Sequence, residues 1–212
     1  MSPNNPSSPL IIHDFEKSGH AHRVRLMASL LGLPVDLKHI DLVGGEQQTE
    51  EFLKLNPFGQ VPVLEDDGNV VRDSTSILIY LAKKYGGETW LPSDAVGAAL
   101  VQRYLSIASN EIYRGPCCAR LVTVFNAELD HNACKEVAHK ILAILDADLK
   151  KKEFLAAAHP TIADVACYSY IAHAPEGDVS LDEYKNIKAW LKRIEALPGF
   201  VAMPVTKVCL AK

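Results

Sequence analysis

The rhythm of apolar residues along the chain changes near residue 95. Before that point, short alternating or continuous apolar runs are punctuated by turn residues. PLIIHDF reads as a strand and EKSG as a loop, and Val24, Met27, Ala28 and Leu31 then recur at helical spacing until Gly32 and Pro34 stop the helix. VDLKHIDL alternates like a second strand. TEEFLKL reads as a short helix with Thr49 as N-cap and Glu50 and Glu51 at the positive end of its dipole. PVLE, the turn DDGN and VVR make a hairpin, and a helix from about Ser74 carries Ile77, Tyr80, Leu81 and Lys84 down one side to Gly86-Gly87. After residue 95 apolar residues recur every three or four positions, as in Val101, Leu105, Ala108 and Ile112. TIADVACYSYIA opens with Thr161 three residues before Asp164, a capping-box spacing, and Ile187, Trp190, Leu191 and Ile194 form one stripe ahead of Pro198-Gly199.

The order βαβα followed by ββα predicts an α/β sandwich of the thioredoxin type. The fold class is therefore α/β plus all-α: a thioredoxin-like unit over 9–86, a linker over 87–94, and an all-helical unit of four to six helices over 95–212. Residues 1–8, rich in Pro, Asn and Ser, are expected to be disordered.

Composition narrows the function classes. A chain of 212 residues that is 48% hydrophobic can bury a sizeable core, and a net charge of -4 with interspersed signs offers no basic stripe for nucleic acid. No apolar run approaches the roughly 20 residues needed to span a bilayer, and the polar start MSPNNPSSP has no apolar signal region. The five cysteines, Cys117, Cys118, Cys134, Cys167 and Cys209, contain no C-x-x-C and read as free thiols of a reducing cytoplasm; Cys117 and Cys118 could alternatively form a redox pair.

Three stretches could carry chemistry. Pro62 stands second in an apparent strand, where its missing N–H is a liability. Either it opens the strand in the trans form, or a cis bond turns the Val61 backbone toward the cleft above the strand ends, to pair with an extended peptide ligand. Asp73 and Ser74 sit where a strand meets a helix. They can cap that helix, or hold an α-amino acid head: the ammonium at Asp73, the carboxylate at Ser74 and the helix N-terminus. Ser18 can cap the first helix, or donate to a bound thiolate and lower its pKa. The first half contains no cysteine, so that thiol must arrive with a ligand. His13, His20 and His22 with Glu16 form a histidine-rich patch, but His20 and His22 are two apart and point to different helix faces, so no metal is expected.

LNPFGQVPVLEDDGNVVRDSTSILIYLAKKYG, TIADVACY and WLKRIEALPGF, in this order, resemble the cytosolic glutathione transferase superfamily over almost the whole chain beyond the first ten residues. SGHAHRVRL is similar to its serine-type first loop, zeta- or theta-like and of the bacterial kind. The resemblance implies glutathione as co-substrate, with Val61 on its cysteinyl unit, Asp73 and Ser74 on its γ-glutamyl end, Gln47 and Gln60 as further contacts, and Ser18 holding the thiolate. It implies a cytoplasmic, homodimeric detoxification enzyme that conjugates glutathione to a small electrophile seated near SIASNEIYRGP. Gly19 and His20 stand where zeta enzymes have Ser and Cys, a departure that bears on maleylacetoacetate isomerase activity. The alternatives are a glutathione-dependent isomerase or dehalogenase, and a transferase-like interaction module without catalysis.

Overall fold

A computed structural model of the chain describes residues 6–206. Within that range, strand β1 (Leu10–Asp14) leads to helix α1 (Gly19–Leu30), β2 (Val35–His39), α2 (Glu50–Leu55), β3 (Val63–Asp66), β4 (Asn69–Arg72) and α3 (Ser74–Leu81). The sheet order is β2-β1-β3-β4. β1 runs parallel to β2, with Leu10 opposite Val35, and antiparallel to β3, with His13 opposite Val63. The β3–β4 hairpin closes through Asp67 and Gly68, both at positive φ, so its turn has two residues rather than the four of DDGN.

The first strand loses Pro9 and Phe15 from its ends, and the next two also differ from expectation. The second strand ends at His39, before Ile40 turns inward and is buried. β3 starts at Val63, so Pro62 lies just ahead of the ladder, where no donor is required of it, and the Val61–Pro62 peptide is cis. The helix after Ser74 also changes character: it is α-helical to Leu81, then widens into a π turn over Ala82–Gly86 that ends at Gly87 with φ +68°. Ile77 and Leu81 enter the core, whereas Tyr80 and Lys84 turn to Asp66, each with its polar tip 2.8 Å from that carboxylate.

The helical unit comprises α4 (Ala95–Ser109), α5 (Cys118–Phe125), α6 (His131–Leu149), α7 (Ile162–Ala172) and α8 (Lys185–Glu195), with a π turn at Tyr113–Cys117 and a 3-10 turn at Ala174–Gly177. Val101, Leu105, Ala108 and Ile112 are buried, as is the α8 stripe of Ile187, Trp190, Leu191 and Ile194. The Thr161–Asp164 capping box is formed. Asp164 also accepts from the Leu155 N–H and from Trp190 Nε1, both at 2.9 Å, which ties α7 to α8 and to the loop before α7. α7 is buried along nearly its whole length and packs against α1, α3 and α4, joining the two halves in one hydrophobic core. No helix among the described residues is long and apolar enough to cross a membrane. Cys117, Cys118, Cys134 and Cys167 are free thiols, and burial pushes Cys117 up to about 12; Cys209 and the first five residues of the expected tail lie outside the described residues.

Candidate active site

A cavity of about 650 Å³ opens between the two halves, lined by Ser18, Gln47, Gln60, Val61, Asp73 and Ser74, the six residues singled out in the sequence, together with Pro62. Ser109 and Tyr113 line it from the helical half, within the stretch SIASNEIYRGP.

Ser18 is the N-cap of α1, its Oγ accepting from the Ala21 N–H at 3.2 Å. Because that bond uses an oxygen lone pair, the hydroxyl proton stays free to donate. Capping and ligand binding are therefore compatible at this residue. Asp73 repeats the logic at α3, where its Oδ1 accepts from the Ser76 N–H at 2.9 Å and the Thr75 hydroxyl at 2.6 Å. Burial works to raise the Asp73 pKa, but the bonds from Thr75 and Ser76 outweigh it and hold the carboxyl below its ordinary value. Its second oxygen has no partner among the described residues and can receive an ammonium. Ser74, buried, starts α3 beside it.

On the opposite wall, Gln47 donates to the Leu42 carbonyl at 3.3 Å, leaving its buried Oε1 unpartnered among the described residues. A buried acceptor without a partner is costly, and Gln47 is among the residues that line the cavity. Asn56 clamps the segment before Val61: its Nδ2 donates to the Gln60 carbonyl at 2.7 Å, and its Oδ1 accepts from the Phe58 N–H at 3.2 Å. Arg72, opposite Val63 in the hairpin, donates Nε to the Leu55 carbonyl at 2.5 Å and is among the residues that line the cavity.

Sequence reasoning misses Asn56, Arg72 and a buried polar cluster behind Ser74. Arg23 is fully buried, with Nη1 at 2.9 Å from His20 Nδ1 and 3.2 Å from Ser74 Oγ, and Nη2 at 3.4 Å from the Ala108 carbonyl. Its Nε has no partner among the described residues, and burial lowers its pKa. Asn56 could have been suspected from N-P in LNPFGQ, a turn signal; nothing local in HAHRVRL marks Arg23 as buried. The other histidines of the patch diverge. His22 is buried between Ser169 Oγ and the Val201 carbonyl, each at 2.9 Å, and His13 pairs with Glu65 at 2.7 Å.

The first loop is held from the far half of the chain. Arg120 of α5 donates Nη1 to the Lys17 carbonyl at 2.9 Å, while its Nε meets Glu176 Oε2 at 2.5 Å.

A pocket with an anionic end at Asp73, helix-end donors at Ser74, an unpaired acceptor at Gln47 and a hydroxyl at Ser18 has groups that can pair with a peptide bearing a free amino acid head. The family model for the glutathione S-transferase N-terminal domain matches residues 18–84, and that for the C-terminal domain matches residues 100–198. Glutathione S-transferase theta-3 of Mus musculus is 30% identical over 189 residues, covering 83% of this chain and 78% of its own. The crystal structure of a glutathione S-transferase from Pseudomonas fluorescens Pf-5 superposes with TM-score 0.88 at 30% identity, covering 92% of this chain and 99% of its own. A glutathione transferase homologue from Drosophila mojavensis, solved with bound glutathione, gives TM-score 0.80 at 30% identity over 90% of this chain and 89% of its own. The chain belongs to the glutathione S-transferase family.

Proposed function

We propose that the protein is a serine-type glutathione transferase in which Ser18 keeps the glutathione sulfur anionic for attack on a small electrophile. The observation that carries this reading is the convergence of Ser18, Gln47, Gln60, Val61, Asp73 and Ser74 on one cavity. In this reading residues 9–86 bind glutathione, 87–94 link, and 95–212 shape the electrophile side through Ser109 and Tyr113. Asp73 holds the γ-glutamyl ammonium, Ser74 and the α3 N-terminus its carboxylate, the Val61 backbone pairs with the cysteinyl unit, and the side chains of Gln47 and Gln60 add polar contacts.

The thiol gives its proton to water, and the Ser18 hydroxyl donates to the resulting anion, which favours the charged form. The sulfur lone pair forms the new C–S bond. A halide or similar group leaves with the bonding pair, or, in an addition, the carbon anion takes a proton from solvent. We further place the enzyme in the cytoplasm as a homodimer. The test is direct: calorimetry should show glutathione binding, and incubation with an activated aryl chloride should yield a stable glutathione conjugate. Substrate turnover with glutathione regenerated would instead assign isomerisation or dehalogenation, and retention of no glutathione would leave only an interaction module.

A further inference from the structure

We propose that His20 is a second hydrogen-bond donor to the glutathione sulfur anion, working as a neutral imidazole whose proton is fixed on Nε2 by the buried Arg23; the inference rests on the glutathione reading above. A guanidinium has donors and no acceptor. Arg23 Nη1 lies 2.9 Å from His20 Nδ1, so Nδ1 must accept and the ring carries its single proton on Nε2. Ser74 Oγ lies 3.3 Å from the same Nδ1 and 3.2 Å from Nη1, completing a triangle behind the pocket wall. Nε2 has no partner among the described residues, yet it is not sealed off, and the ring lines the cavity.

The ring is also held in place. Tyr170 packs edge-on at 5.0 Å and Tyr113 tilts against it at 6.0 Å. The Nδ1 edge thus faces Arg23 and Ser74, at the end of the pocket suited to the charged amino acid head. The free N–H is on the other side of the ring, and His20 shares the lining of the cavity with Ser18. The charged or titratable groups around it are Arg23 on its own helix, Asp73 at the head of α3, Tyr113 after α4 and Tyr170 on α7. A second ring proton would point at the guanidinium. Burial first, then Arg23, lowers the imidazole to about 3 against a weaker opposite pull from Asp73, so His20 does not titrate where enzymes of this kind work. It can donate and cannot act as a base.

The test compares His20→Leu, which removes the N–H, with His20→Gln, whose amide nitrogen reaches nearly the Nε2 position. The readouts are the ultraviolet absorbance of bound thiolate against pH and the steady-state constants. His20→Leu should raise the ionisation midpoint by about one pH unit and lower kcat/KM near neutrality about tenfold, while KM for glutathione changes less than about twofold. His20→Gln should recover most of both losses. An unmoved midpoint in His20→Leu overturns the inference, as does a tenfold rise in KM at fixed midpoint, which would put the N–H on the ligand carboxylate. Should His20→Leu fail to fold, nitrogen-15 spectra of the parent decide: the Nε2 proton should move downfield as bound glutathione ionises and stay in place with S-methylglutathione, and no movement overturns the inference. If the parent binds no glutathione at all, the glutathione reading falls with it; binding with an unmoved midpoint sinks the role of His20 alone.

Discussion

Ser18 shows how one side chain can serve fold and chemistry together. Its oxygen closes the first turn of α1 while its proton remains available to the cavity. Ser18→Ala should therefore show two separable effects. The loss of the cap should cost about 1 kcal/mol in urea unfolding, and the ionisation midpoint of bound glutathione should rise by roughly one unit in ultraviolet titration. Its neighbour Gly19 is constrained differently. A Cβ there would come within 2.7 Å of the Tyr170 ring, and Tyr170 is buried. Gly19→Ala should destabilise the protein by about 1–3 kcal/mol and loosen the aromatic wall around His20; an unfolding midpoint equal to the parent's would refute that packing. The Ser18 cap is readable in the string KSGHAHR, whereas the Gly19 constraint is not, because Tyr170 is supplied by a helix in the other half of the chain.

Among the elements, α7 has the most to lose from one substitution. The Asp164 carboxylate accepts from the Thr161 N–H and hydroxyl, the Leu155 N–H and the Trp190 ring nitrogen, all in the interior. Asp164→Ala leaves those donors buried and unpaired, and should cost about 3–5 kcal/mol, with Asp164→Asn losing less, as read by urea unfolding. The capping box was legible in TIAD, and so were the β3–β4 turn, the Thr49 cap and the α8 stripe, because each is set by residues within one or two turns of each other. The trimmed start of β3 and the π turns were not, since ladder bonds and helix widening depend on what packs alongside. α1 was only half legible. Its apolar stripe is real, but Ala21, His22 and Arg23 are buried as well, because α7 and the cavity cover the face that a two-layer domain would leave to water.

For the molecule as a whole, buried neutral imidazoles draw stability down as pH falls below neutrality. His22 is lowered to about 4, mainly by burial, and His20 to about 3. Both lie below the ordinary 6.5, so below that pH the unfolded chain binds more protons than the folded one, and stability that is complete above pH 6.5 drains away as pH falls toward those values. At about pH 5 the loss should be on the order of 2 kcal/mol per imidazole. Thermal midpoints at neutral pH and pH 5 check this, and His22→Gln should have the smaller difference. Sedimentation should give twice the 23.2 kDa of the chain if the homodimer forms; Val43, Phe58 and Val96, at 86%, 80% and 70% exposure, are apolar surface that a second copy can cover.

The strap from Arg120 to the Lys17 carbonyl joins residues 103 apart in sequence. Its consequence reaches any hybrid enzyme: fusing the first unit to a helical unit borrowed from a relative would transplant nearly every wall of the cavity, yet leave the height of its serine to whatever the new helix happens to offer.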